Sequence, residues 1–138
     1  MTDTRIAANS TLGRQFFEAQ DRLRGGPAPE LCAPSYTAEL GGNPPMPLEG
    51  HQGFAAAFYA GFPDMHHEIV AVIATDDVAV VRFVIHGTHS ASLFGIPASS
   101  RTVRITGHVI LQVANGVVQR LQGVFDEAGM LRQIGVLP

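Results

Sequence analysis

The 138-residue sequence predicts a single α+β domain spanning residues 1–138. In it, three N-terminal helices pack on a curved antiparallel sheet, leaving a cone with an internal pocket. Three observations carry this reading. Apolar residues recur at helical spacing through the first 62 positions, the period changes to two from His66 onward, and Asn115-Gly116 divides Arg101 to Asp126 into two long strands.

The first helix takes Ser10 or Thr11 as its cap and runs to about Leu23, with Leu12, Phe16, Ala19 and Leu23 on one face. Arg24-Gly25-Gly26-Pro27 ends it, and Ala28 to Cys32 reads as a short second helix. Ser35 to Glu39 suits a short strand, and the Gly41 to Pro47 stretch is too rich in Gly and Pro to be regular. A third helix covers about Gly50 to Phe62, with Phe54, Phe58 and Phe62 in register and Pro63 as the stop. Strands follow at Glu68 to Ala74 and Val78 to His89, then a Ser- and Gly-containing loop from Ser90 to Ser100. The last segment, MLRQIGVLP, packs back on the domain after Gly129, with Asp126 available to cap its first turn.

In the hairpin, Val103, Ile105, Val109, Leu111 and Val113 alternate with polar residues, so one face is buried. A two-residue loop would set Leu111 beside Arg120 and mix apolar with charged positions. A three-residue loop, Ala114-Asn115-Gly116, sets Val109 beside Leu121, Ile105 beside Phe125, Arg104 beside Asp126 and His108 beside Gln122. That choice keeps two coherent faces, because a one-residue slip would bury Arg120 and expose Leu121. His108 and Asp126 then lie on the polar face, and Arg104 with Asp126 forms a cross-strand ion pair.

Composition excludes several classes of function. The formal charge is −3, and without an Arg-rich cluster there is no nucleic-acid footprint. The absence of lysine removes Schiff-base chemistry and a phosphate-loop lysine. A single cysteine, Cys32, and a polar opening segment point to a cytoplasmic protein, and no apolar run nears the roughly 20 residues of a membrane span, so no membrane partner is expected. His66 and His67 face opposite sides of a strand, as do His86 and His89, so no metal site is expected.

Phe16, Tyr59, Phe62 and Phe83 are core residues, some of which line the pocket, with Val109, Leu121, Gly123 and Phe125 lining it from the inward sheet face. His89 shares the parity of Phe83 and Ile85 and so looks inward near the mouth, either as an acid–base group or as an anchor for the Ser90 to Ser100 loop.

Gly87-Thr88-His89, Leu93 to Pro97, Arg101-Thr102-Val103, the Asn115-Gly116 turn and the Leu131 to Gly135 ending resemble the SnoaL-like polyketide cyclase family, within the nuclear transport factor 2-like and ketosteroid-isomerase-like superfamily. The resemblance implies a cystatin-like α+β barrel, a homodimer, a small apolar metabolite as partner, and cyclisation by acid–base chemistry without metal or organic cofactor. It places a general-base carboxylate near Glu39, which otherwise reads as a solvated loop residue. The catalytic histidine and aspartate of those cyclases fall at Val109 and Gly123, neither of which moves a proton. Two functions therefore stand open: a cofactor-independent cyclase, isomerase or hydrolase using Glu39 and His89, and a non-catalytic ligand-binding or carrier protein.

Overall fold

Thirteen residues from Thr102 to Ala114 alternate without a break between exposed and buried, the signature of a strand with one face on the core. This strand is β5 of the computed structural model, which describes residues 2–138. The elements are helix α1 (Thr2–Leu23), a 3₁₀ turn (Pro29–Leu31), β1 (Cys32–Leu40), β2 (Met46–Pro47) and helix α2 (Leu48–Gly61). They continue with β3 (His66–Ala74), β4 (Val78–Thr88), β5 (Thr102–Ala114), β6 (Val117–Phe125) and helix α3 (Glu127–Gln133). The strands form one sheet in the order β2-β1-β6-β5-β4-β3.

The α+β class stands, with two differences in detail. The sheet is mixed rather than wholly antiparallel, because β1 runs parallel to β6. Of the three α- or 3₁₀-elements expected before the sheet, the second is only a 3₁₀ turn, and a further α-helix, α3, follows it at the C-terminal end. Asp126 caps α3 by accepting from the Gly129 N–H at 2.9 Å, which lets a helix start two residues before a glycine. Helix α1 begins eight residues ahead of Ser10, since nothing from Thr2 to Asn9 breaks a helix and Asn9 Nδ2 donates to the Thr75 carbonyl at 3.0 Å.

The hairpin solves its conflict differently from the three-residue loop. Asn115 (φ 55°) and Gly116 (φ 76°) are both left-handed, so the loop has two residues, and Ala114 pairs with Val117. Val113 then faces Val118, but Gln112 faces Arg120, so Gln119 is an inserted bulge residue in β6. The bulge supplies the one-residue shift that the apolar pattern demands. Leu111 meets Leu121, Val109 meets Gly123 and Gly107 meets Phe125. Register therefore differs by two from the expectation, and parity does not: His108 and Asp126 are exposed on or beside the outer face. The expected Arg104–Asp126 pair does not form. Arg104 instead exchanges both backbone hydrogen bonds with the Gln133 side chain, at 2.7 and 3.0 Å.

Two apolar clusters fill the concave side of the sheet, one gathered on α1 and β1 and the other on α2 and α3. Among the described residues no helix is long and apolar enough to cross a membrane.

Gly123 holds the wall of β5 and β6 together. A Cβ there would lie 2.4 Å from Val109 Cγ1 and 2.9 Å from the His108 carbonyl oxygen. Gly123→Ala is expected to cost about 1–3 kcal/mol by overpacking. Val109→Ala in the same chain should return part of that loss, so a urea-denaturation double-mutant cycle should show coupling; additive effects would contradict the packing account.

Candidate active site

Between the two clusters lies a cavity of about 70 Å³ that opens to solvent. Its wall is mostly apolar and aromatic, drawn from α1 (Phe17), α2 (Phe54, Phe58), β4 (Phe83, Ile85), β5 (Ile105, Val109) and β6 (Leu121, Phe125). Four polar side chains interrupt it: Gln20, His51, Tyr59 and His67. Such a site suits an apolar ligand oriented by a few polar groups.

Alternation along β3 explains His67. His66 and Glu68 are exposed, whereas His67 and Ile69 are turned inward. Asp21, one turn beyond Phe17 on α1, meets the imidazole from the helix side. His67 Nδ1–H donates to Asp21 Oδ1 at 2.8 Å, the His67 backbone N–H donates to Oδ2 at 2.7 Å, and the Tyr59 hydroxyl donates to Oδ1 at 2.6 Å. The side chains are 7% exposed for His67 and 21% for Asp21. Burial alone would raise the Asp21 carboxyl; the hydrogen bonds and charge of His67, with the Tyr59 hydroxyl, outweigh it and hold Asp21 below the usual carboxylate value. Asp21 is therefore an ionised acceptor, which fixes His67 Nδ1 as a donor. Burial, then the adjacent Asp21, raises the Tyr59 hydroxyl, so Tyr59 is a donor and not a phenolate at neutral pH. Arg24 stacks 4.7 Å over the Tyr59 ring and donates to the Pro63 and Met65 carbonyls, tying the end of α1 to the segment before β3.

A second pair sits on α2 and β1. His51 Nδ1 and the Tyr36 hydroxyl share a hydrogen bond of 2.8 Å, their rings stacked at 6°. Burial lowers His51 to about 4, so it is neutral in the fold. Gln20, on the α1 turn facing the cavity, is 4% exposed.

Of the residues expected to line the pocket, Tyr59, Phe83, Val109, Leu121 and Phe125 do so. Phe16 and Phe62 are fully buried elsewhere, Phe16 against Phe17 and Tyr36 and Phe62 against the His89 ring. Gly123 offers no lining surface, because the Val109 side chain occupies the space before it. Glu39 is corrected outright. Its parity on β1 puts it on the outer sheet face, where a short hydrogen bond from Arg120 holds its carboxyl low, away from the cavity. His89 is fully buried and stays outside the cavity wall. Its Nδ1 accepts from the Ser99 backbone N–H at 3.1 Å and lies 2.9 Å from Ser99 Oγ, the loop-anchoring arrangement.

Asp21, His67, His51 and Gln20 were missed by sequence reasoning. Strand parity could have pointed to His67; nothing local announces Asp21, which lies 46 residues from its partner.

The family model for SnoaL-like polyketide cyclase matches residues 12–134. The chain belongs to this family. Among solved structures, a proposed SnoaL-like polyketide cyclase from Jannaschia sp. CCS1 superposes with a TM-score of 0.82 at 18% identity, covering 96% of this chain and 94% of the other. AclR from Streptomyces galilaeus, described as a proposed hydroxylase, gives 0.86 at 18% identity over 96% and 88%. IdmH from Streptomyces antibioticus, described as a proposed polyketide cyclase, gives 0.73 at 27% identity over 97% and 98%. No curated protein matches the sequence. Within this SnoaL-like frame, Val109 and Gly123 face each other across β5 and β6 without a proton-handling atom. The histidine–carboxylate pair in the cavity wall, among the described residues, stands on β3 and α1, while a second pair, His86 with Glu68, lies on the exposed face of β3 and β4.

His51 makes stability depend on pH. Its folded value of about 4 lies below the ordinary 6.5, so the unfolded chain takes the proton first as pH falls. The contribution is fully present above about pH 6.5 and is lost on descent toward pH 4, on the order of 3 kcal/mol. Thermal melts from pH 7.5 to 4 should show a shallower slope for His51→Gln than for the wild type; parallel slopes would exclude the assignment.

Proposed function

We propose that this protein is a cofactor-independent acid–base enzyme of the cyclase or isomerase type, acting on an apolar, carbonyl-bearing metabolite. The observation that carries the reading is the ionised Asp21 holding the imidazole of His67 in the wall of an apolar cavity. His67 Nε2 takes a proton from the carbon next to a substrate carbonyl, and the C–H electron pair moves onto the carbonyl oxygen as an enolate. In a cyclisation, the enolate carbon then bonds to a second carbonyl carbon of the same molecule. The resulting alkoxide takes the proton back from the imidazolium, and no oxidant or reductant is needed. In an isomerisation the proton returns to a different carbon. Asp21 is a positioning residue: it fixes the tautomer and stabilises the imidazolium. The aromatic walls hold the substrate in reactive geometry and keep water out.

The test is deuterium incorporation next to the carbonyl of bicyclic and tricyclic aryl ketones in D₂O, followed by NMR. The wild type should accelerate exchange, His67→Gln should lose about 10²–10⁴-fold of that rate, and Asp21→Asn should lose less while lowering kcat rather than raising KM. Failure of the wild type to exceed an imidazole buffer across the ketone set would exclude the reading.

Val109 and Gly123 support a second reading, a binding or carrier protein with this cavity and no chemistry. It expects ketone binding without exchange, and unchanged affinity in His67→Gln. In either case we propose a homodimer formed through the outer sheet face, where Ile110 and Val124 are 43% and 48% exposed. Size-exclusion chromatography with light scattering should report twice the chain mass, falling to the chain mass in Ile110→Arg; an unmodified chain that elutes as a monomer would refute this.

A further inference from the structure

Among the described residues, two buried side-chain nitrogens have no hydrogen-bond partner: Gln20 Nε2 and His89 Nε2. His89 lies outside the cavity wall, held in the loop by Ser99. Gln20 is in the wall. It follows Phe17 by three residues on α1, so both face the same space, and Phe17 stacks within 5.0 Å of the His67 ring and of Phe83. An amide donor sealed from water and left unpaired costs folding free energy, whereas leucine or methionine would fill the same position without that loss. The cost is recovered only if an acceptor arrives from outside the chain. Apart from His51, Tyr59 and His67 the surrounding wall is aromatic and aliphatic, and His51 is neutral, so the acceptor belongs to a largely apolar molecule.

We propose that the Gln20 side-chain amide is the recognition point for a ligand carbonyl oxygen, so that the cavity selects ketones or quinones on a hydrocarbon frame over the same frame without the oxygen. The inference rests on the cavity being a ligand site, and it deepens the reading above. Gln20 and the dyad carboxylate Asp21 are consecutive on one helix, so the residue that receives the oxygen and the residue that orients the base are set by the same turn. A hydrogen bond from Gln20 also meets the oxygen on which negative charge grows during proton removal.

The probes are 1-tetralone and tetralin, which differ in one carbonyl oxygen. Calorimetry or intrinsic fluorescence should give wild type a preference for 1-tetralone of about tenfold or more, because a site built to hydrogen-bond a group rejects the analogue that lacks it. Gln20→Leu should bring the two affinities to within about twofold and keep or raise Tm, since an orphan donor is removed. Gln20→Met serves as the second, unbranched replacement. Difference infrared spectra should show the carbonyl stretch of bound 1-tetralone at lower frequency in wild type than in either variant, a readout that a purely structural glutamine would not move. The inference is overturned if wild type binds both probes equally or binds neither. It is equally overturned if both variants keep the preference and the lowered frequency. Carbonyl selection by a wild type that catalyses no deuterium exchange would uphold Gln20 while removing the acid–base reading, so the two fail separately.

Discussion

The Asp21 carboxylate is the interaction on which the rest of the structure turns. It sits at the end of α1, largely withdrawn from water, and accepts from Tyr59 of α2 and twice from His67 of β3. A withdrawn charge is tolerated only when its lone pairs are occupied, so both helices and the third strand must meet at this point for Asp21 to be accommodated. One of the three bonds that satisfy the charge, from His67 Nδ1–H, also fixes a proton on that ring nitrogen. Architecture and chemistry thus share one residue, and the cavity lies where the shared residue faces inward.

The opposite wall shows why proton-handling groups are absent from the cavity side of β5 and β6. Val109 fills the space that a side chain at position 123 would need, and the two strands approach closely because Gly123 has none. A carboxylate there would require Val109 to be replaced at the same time. With that wall closed by packing, the polar groups of the cavity come from the helices, β1 and β3: Gln20, His51 with Tyr36, Tyr59, and His67. The chain keeps the cone of its family and carries its titratable pair on the other side.

Aromatic rings continue from the cavity to its rim. Phe58 makes edge contacts with Phe125 inside and with Phe94 outside, and Phe54 lies against both Phe58 and Phe94. Phe94 remains 61% exposed, on a left-handed residue (φ 45°) of the loop between β4 and β5. His89 bonds to Ser99 at the base of that loop, which also exchanges backbone hydrogen bonds between His89 and Ser100 or Arg101. His89 is fully buried outside the cavity wall and ties down the loop that carries Phe94.

What the sequence determined by itself is everything governed by short-range periodicity: the two faces of β5, the turn at Asn115-Gly116, the aromatic spacing of α2, the opposite orientations of His66 and His67, and the class of fold. These follow because one residue of slip exchanges buried and exposed faces, a cost no later packing can offset. Tertiary structure decided where two local demands conflict and where partners are distant. The two-residue turn and the apolar parity could be reconciled only by a bulge at Gln119, and β1 could take its parallel place beside β6 only once both strands lay on the same sheet. Asp21, Gln20 and His51 read as ordinary helix residues until the fold brings α1, α2 and β3 around one cavity, because a polar side chain acquires its chemistry from the neighbours that desolvate it.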